Sequence, residues 1–167
     1  RDYENVIARL NAIPVYVDQY IALMREHIAA RTTQPRVVVD LVLEQLGSQA
    51  RMTATETPLL AAFRRFATEI QDAEQKRLLA AATTAYQTKF TPSWRRLESF
   101  LRTTYRPAAR ASIPVTSVPR GRALYDAAVR FHTTTSMSAE DIHRLGLSEV
   151  ARIEKEMEQV ARSDGFT

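Results

Sequence analysis

The stretch FHTTTSMSAEDIHRLGLSEVARIEKEM, residues 131–157, contains the signals that indicate the fold class. Its polar run ends one apolar pattern, and Ser138, with Asp141 three residues later, is typical of a helix start. Apolar residues then recur at helical spacing, at Ile142, Leu145, Val150, Ile153, Met157 and Val160. The stretch therefore predicts two helices joined by a short polar segment.

Helical spacing extends over most of the remaining sequence. It predicts one helix over residues 3–13, a second after Pro14 and a third that starts at Thr57-Pro58. Further helices are predicted from a cap at Asp72 to about Phe90, from 94 to 105 and from 121 to 132. We expect Pro14 to kink or restart the first helix, and Pro92 to mark a kink or a boundary. Residues 111–119 contain two prolines and β-branched residues, which predicts an extended connector.

Residues 36–49, RVVVDLVLEQLGSQ, fit two structures. The three consecutive valines favour a strand by propensity. Val38, Leu41, Val42 and Leu46 nevertheless share a helical face, and Gly47 suits a helix end. Because helices are predicted on both sides and no partner strand is apparent, we interpret this segment as a helix.

These patterns predict an all-α fold, an irregular antiparallel bundle of about six to eight helices. The 167 residues suit a single domain spanning 1–167. The chain opens with Arg1 and runs at once into a helical pattern, so we expect it to be a fragment of a longer protein. Its compartment, periplasmic, exported or cytoplasmic, would depend on a preceding N terminus.

Composition excludes several classes of site. The sequence has no cysteine, which rules out disulfides, thiolate metal sites and a cysteine nucleophile. No run of about 18 apolar residues predicts a membrane span. The net charge of +4 comes from basic residues spread along the chain, so we predict no nucleic-acid partner.

Two polar groupings could carry chemistry. Glu140 and His143 form a Glu-x-x-His pair, but the diiron bundles that use this motif need two copies, so we expect no metal site. His132 precedes three threonines, Thr133, Thr134 and Thr135, which could place an imidazole and hydroxyls at a cleft. The simpler interpretation is that these hydroxyls bond free backbone groups at a helix end.

Two stretches, residues 3–28 and 121–157, resemble the bacterial domain of unknown function 885 family. Members carry a Gly, one or two Tyr, a His-Thr-Thr-Thr segment, then Glu-Ile-His, Leu-Gly and Glu-Val-x-Arg-Ile. The matching positions are Gly121, Tyr125, His132, Thr133, Thr134, Thr135, Ile142, His143, Leu145, Gly146, Glu149, Val150, Arg152 and Ile153. Leu124 and Asp141 stand where the family often has a second Tyr and a Glu, and the resemblance is much weaker over about 48–115.

The resemblance implies a role within a larger protein. Full members are several times longer and look like zinc peptidases of the gluzincin type, with a His-Glu zinc segment toward the C terminus that these residues lack. It implies a non-catalytic helical portion forming one wall of a substrate cleft, with no catalytic or metal residue here and zinc held by the longer parent. Tyr125, His132 and the three threonines would face a peptide substrate.

Other interpretations stay open. The chain could instead be a helical protein-interaction module without enzymatic role, whose basic helices bind an acidic partner. A helical metal-binding bundle is a weaker alternative. The expected partners are the rest of the parent protein and, through exposed apolar surface, a second copy in a homodimer.

Overall fold

The computed structural model describes residues 1–165, and most of them are helical. The α-helices are α1 (Asp2–Ala29), α2 (Arg36–Arg51), α3 (Asp72–Ala85), α4 (Thr91–Phe100), α5 (Arg106–Ala108), α6 (Gly121–Thr133) and α7 (Ala139–Ser163). Two 3-10 helices, Pro58–Arg64 and Val115–Ser117, and two π-helical turns, Tyr86–Phe90 and Leu101–Tyr105, lie between them. Residues 1–165 form no β-strand, and the predicted all-α helical bundle is confirmed.

The helices divide into two compact units, Arg1–Ile113 and Pro114–Thr167. The predicted connector 111–119 crosses this boundary. Pro114 and Val118 in it are extended, and the residues between them form the short 3-10 helix. The prediction of a single domain over 1–167 stays a prediction, and each unit is described by itself below.

The first unit contains two apolar clusters. The first cluster joins the N-terminal half of α1 to the 3-10 helix and α3, through Ile7, Leu10, Leu60, Phe63, Leu78, Ala82, Ala85, Tyr86 and Phe90. The second joins α2 to the end of α4 and α5, through Val39, Leu43, Leu46, Phe100, Leu101, Tyr105 and Ala109. Trp94 packs against both clusters.

The buried face of α2 differs from the predicted one. The predicted stripe contained Val38, Leu41 and Val42, and these three side chains are exposed. The structure instead buries Val39 and Leu43, together with the predicted Leu46. Apolar residues nearly surround this helix, so its spacing could not indicate which face enters the core.

Residues 72–108 form one continuous helical rod. Both π turns in it end two residues before a proline, Pro92 and Pro107. Proline donates no backbone N–H and its ring crowds the carbonyl one turn back, and a π turn widens the helix there. The rod therefore continues past Pro92, so of the predicted kink or boundary the boundary is not observed. Helix α1 likewise continues through Pro14, so of the predicted kink or restart the restart is not observed.

Two predicted helix starts are modified. Thr57 does cap a helix, accepting a hydrogen bond from the Leu59 N–H, but that helix is of the 3-10 type. Residues three apart eclipse in a 3-10 helix, which is how Leu60 and Phe63 are buried together. Asp72 lies one residue inside α3 and not at its cap, where a carboxylate favours the helix dipole.

Hydrogen bonds connect the loop between α1 and α2 to the end of the rod. The buried Thr33 hydroxyl donates to the Ala108 carbonyl at 3.2 Å and accepts from the Arg110 N–H at 3.2 Å. The Gln34 N–H donates to the Tyr105 hydroxyl at 2.9 Å. These bonds join segments more than 70 residues apart in sequence, so they fix the fold of the first unit.

In the second unit, α6 starts against the 3-10 helix Val115–Ser117. A Cβ at Gly121 would overlap the carbonyl oxygen of Val115, so only glycine fits at this close approach. Helix α7 begins as predicted, with the Ser138 hydroxyl accepting from the Asp141 N–H at 3.1 Å. Helix α7 has no buried residue among residues 139–163.

Candidate functional site

All five residues predicted to bind substrate lie at or near α6 in the second unit. Tyr125 and His132 are on the helix, Thr133 is its last residue, and Thr134 and Thr135 follow it. Tyr125 and His132 are both exposed. The structure therefore brings the predicted set to one helix and its C-terminal end.

Tyr125 and His132 share one face of α6. They are seven residues, or two turns, apart, which separates their positions by about 10 Å along the helix axis. The imidazole of His132 also contacts the ring of Phe131 edge-on, with ring centroids 5.2 Å apart. The phenol and the imidazole thus form a row of two hydrogen-bonding groups along the helix.

The threonine hydroxyls are already engaged locally. Thr133 Oγ1 donates to the Val129 carbonyl at 2.8 Å, and it lies 3.1 Å from Thr135 Oγ1. Thr134 Oγ1 donates to the carbonyl of Thr133 at 2.7 Å, and the Met137 N–H donates to Thr135 Oγ1 at 3.3 Å. Hydroxyls at this helix end bond backbone groups, as the simpler interpretation of the run predicted.

Thr134 has an unusual backbone conformation. Its φ of 55° and ψ of 20° lie in the left-handed region, and its N–H donates to the Arg130 carbonyl at 2.9 Å. Glycine is the usual residue at this position after a helix, and a β-branched side chain there is strained. Residues held in such conformations cluster at binding and switch sites, which makes Thr134 a candidate for function.

A cavity of about 230 Å³ lies beside this site in the second unit. It is lined by Arg122, Asp126, Val129 and Arg130 of α6 and by Ser136, Met137, Ser138 and Ala139. None of the five predicted residues lines it. Hydrogen bonds from the Ser138 hydroxyl and from Arg144 lower the pKa of Asp141 at the start of α7.

The described residues do not fit a zinc ion. Glu140 and His143 lie on the first turns of α7, and no group of three His, Asp or Glu side chains within residues 1–165 is placed to hold a metal. Zinc sites need three or four such ligands. The described residues therefore offer no site for the zinc that the family resemblance implies.

Sequence reasoning missed the clefts of the first unit, two of which are largely apolar. One of about 730 Å³ has Lys76, Asp72 and Arg64 around an apolar floor that includes Phe63 and Phe66. A smaller one, of about 390 Å³, is mostly apolar and includes Trp94, whose Nε1 donates to Gln49 Oε1 at 2.9 Å. Both are lined mainly by residues within 48–115, where the sequence has no motif that indicates a site.

Within residues 1–165, no helix is both long enough and apolar enough to cross a membrane. Several ion pairs lie on the surface of the described chain, and those of Arg77 with Glu4, Arg96 with Asp18 and Arg106 with Asp40 connect different helices. Many of the basic side chains are therefore already paired within the chain.

A protein-family model described as "Bacterial protein of unknown function (DUF885)" matches residues 1–167. Among solved structures, the chain is similar to one described as "The crystal structure of the putative lipoprotein from Colwellia psychrerythraea", with a TM-score of 0.88 and 20% sequence identity. The match covers 96% of this chain and 28% of that chain, so this chain spans just over a quarter of that protein's length. No curated protein sequence matches.

Proposed function

This chain belongs to the DUF885 family of bacterial proteins of unknown function, and from that premise we propose that it is a non-catalytic helical portion of a longer, zinc-dependent peptidase-like hydrolase. In that protein it contributes one wall of the substrate cleft. The similarity to 28% of a longer chain supports a role as part of a larger protein.

The observation that carries the proposal is the row formed by Tyr125 and His132. An extended peptide advances about 3.3 Å per residue, so the two turns between these side chains match about three substrate residues. A phenol and an imidazole both donate and accept hydrogen bonds. An extended substrate lying along α6 would therefore meet one such group at each end of a three-residue span.

Thr134 would contribute at the end of that row. Its left-handed backbone turns the chain after α6, and the residue is exposed there. Its hydroxyl, which donates to the Thr133 carbonyl, would have to exchange that bond for one to the substrate.

The test uses the longer protein and a peptide substrate. His132→Ala and Thr134→Ala are expected to raise KM with kcat and zinc content unchanged, because they remove contacts made equally in the ground and transition states. Tyr125→Phe removes a single hydroxyl and should raise KM by a smaller factor. His143→Ala removes an exposed imidazole from α7 and is the matched control. An unchanged KM in all three α6 variants would overturn the proposed role of the row.

A second candidate is a helical protein-interaction module with basic helices that bind an acidic partner. It is favoured by the large exposed apolar residues of α6 and α7, such as Phe131, Val150 and Met157. The reading frame after codon 167 separates the two. Continuation into a His-Glu segment with a later Glu supports the hydrolase, and a stop codon after Thr167 supports the interaction module.

A further inference from the structure

Helix α7 has an apolar seam that nothing in the described part of its own unit covers. The seam consists of Gly146, Val150, Ile153, Met157 and Val160, and its residues recur at intervals of four, three, four and three. This is the spacing that brings one edge of a helix against a partner helix. Val150, Ile153, Met157 and Val160 are 45–67% exposed, which is unusual for a continuous stripe of four large apolar side chains.

Gly146 is a second indication that another helix packs on the seam. It lies in the interior of a 25-residue helix, where glycine is the poorest helix former after proline. A Cβ added there would meet no atom within 4 Å in the described part of the unit, so nothing described in the unit requires glycine. A glycine on an apolar seam allows the backbone of another helix to approach closely. Such an approach would explain why residue 146 is glycine.

The charges beside the seam restrict what the partner can be. Glu149 and Glu156 border it on one side, where both are ion-paired with Arg152 at 2.9 and 2.8 Å, and Glu154 borders it on the other. Arg144 and Lys155 lie farther around the helix. If two copies of α7 paired along this seam, Glu would face Glu in either a parallel or an antiparallel arrangement. Like charges at these flanking positions oppose pairing, so a second copy of this chain is a poor partner.

The similar solved protein indicates where a better partner could come from. It contains the same fold over 96% of this chain, and 72% of its own length lies outside the match. A segment of the same polypeptide is tethered, so it reaches the seam at high effective concentration.

We propose that the seam of α7 is the docking surface for a helix of the parent polypeptide that lies outside these 167 residues, with Gly146 at the point of closest approach. That helix carries apolar residues at matching spacing and a Lys or Arg beside them, opposite Glu154. This inference rests on the proposed function only in requiring a longer parent protein.

Single introduced thiols test the inference. The chain has no cysteine, so Ile153→Cys places one reporter on the seam and Ala151→Cys places a matched reporter on the opposite face. Labelling of Ile153→Cys should be at least about tenfold slower in a parent protein without other cysteines than in the 167-residue chain, since a covered thiol reacts only after local opening. Ala151→Cys should react equally fast in both.

A second pair of variants probes the glycine. Gly146→Leu should lower the melting temperature of the parent protein while leaving that of the 167-residue chain unchanged or higher, and Ala151→Leu should lower neither. Equal labelling rates of Ile153→Cys in the two proteins would overturn the inference. So would a lower melting temperature of the 167-residue chain itself on Gly146→Leu substitution. A concentration-dependent dimer of the parent in which the seam thiol becomes protected would overturn it in favour of self-association. Neither the labelling nor the melting experiment measures peptide hydrolysis. A negative result in them is therefore distinguishable from failure of the proposed function.

Discussion

The carbonyl oxygen of Val115 occupies the place that a Cβ on residue 121 would take. This contact fixes how α6, with Tyr125 and His132, begins against the preceding 3-10 helix. Its consequences can be measured.

Gly121→Ala should destabilise the second unit by about 1–3 kcal/mol, because the backbone of Val115 and Thr116 must shift to admit a methyl group. Gly146→Ala is the matched control, with open space around the added atom. In the 167-residue chain it should stabilise α7 by up to about 1 kcal/mol. Hydrogen exchange of the α6 and α7 amides measures both effects, and equal protection of α6 in Gly121→Ala and the wild type would contradict the packing described.

Tyr105→Phe should lower the free energy of unfolding of the first unit by about 1 kcal/mol, because the Gln34 N–H loses its hydrogen-bond acceptor. The Tyr105 side chain is otherwise packed in the second apolar cluster, and phenylalanine preserves that packing. Tyr20→Phe, at an exposed position on α1 where the hydroxyl bonds that of the exposed Tyr16, should cost much less. Urea denaturation compares the variants, and equal losses for the two substitutions would show that the Tyr105 bond contributes nothing.

Two residues after helix ends should be improved by glycine. Arg31 and Thr134 both have positive φ, 58° and 55°, and the bonds around Arg31 form the usual C-terminal helix motif. Arg31→Gly and Thr134→Gly should each stabilise the chain by up to about 1 kcal/mol. Ala151→Gly, in a helix interior, should cost about 1 kcal/mol. A raised KM for Thr134→Gly in the longer protein, with the chain itself stabilised, would agree with a binding role of the Thr134 side chain. A destabilised Thr134→Gly variant would contradict the positive φ of residue 134.

The start of α7 should weaken in acid. Hydrogen bonding from Ser138 first, and then from Arg144, lowers the pKa of Asp141 in the folded chain. A lowered folded pKa gives stability that is fully present above the ordinary aspartate value of about 3.9 and is lost as the pH falls through the folded value. NMR titration of the Asp141 carboxyl should show this shift, and Ser138→Ala should move the pKa back toward its ordinary value. A pKa that does not move in Ser138→Ala would contradict the hydrogen bond that the Ser138 hydroxyl donates to the Asp141 carboxylate at 2.6 Å.

Local signals were the most reliable part of the sequence prediction. Ser138 and Thr57 cap helices as expected, because a hydroxyl before a helix satisfies a free N–H regardless of the rest of the fold. The face of α2 could not be predicted, since apolar residues nearly surround that helix and only the packing of α4 and α5 selects one side.

The π turns before Pro92 and Pro107 could not be foreseen either. A proline in a helical pattern indicates a break, and whether the helix widens and continues depends on packing elsewhere. Here the first apolar cluster includes Tyr86 and Phe90 of one π turn, and the second includes Leu101 and Tyr105 of the other, so packing supports the rod at both turns.

The candidate site was only partly accessible from sequence. Helical spacing places Tyr125 and His132 on one face, and the threonine run predicts local hydroxyl bonds. The positive φ of Thr134 could not be predicted, because nothing in the sequence distinguishes it from its neighbours. The clefts of the first unit need residues from α3 and the 3-10 helix to meet, which is a property of tertiary structure.

The central claim is that this chain shapes a substrate cleft but does not cut. Peptide hydrolysis by the 167-residue chain and by its longer parent, each assayed with and without a chelator, tests it most directly. We expect the parent to cleave peptide, the chelator to abolish that cleavage, and the 167-residue chain to be inactive and to bind no stoichiometric zinc. Chelator-sensitive cleavage by the 167-residue chain alone, or a parent that never cleaves, would contradict the claim.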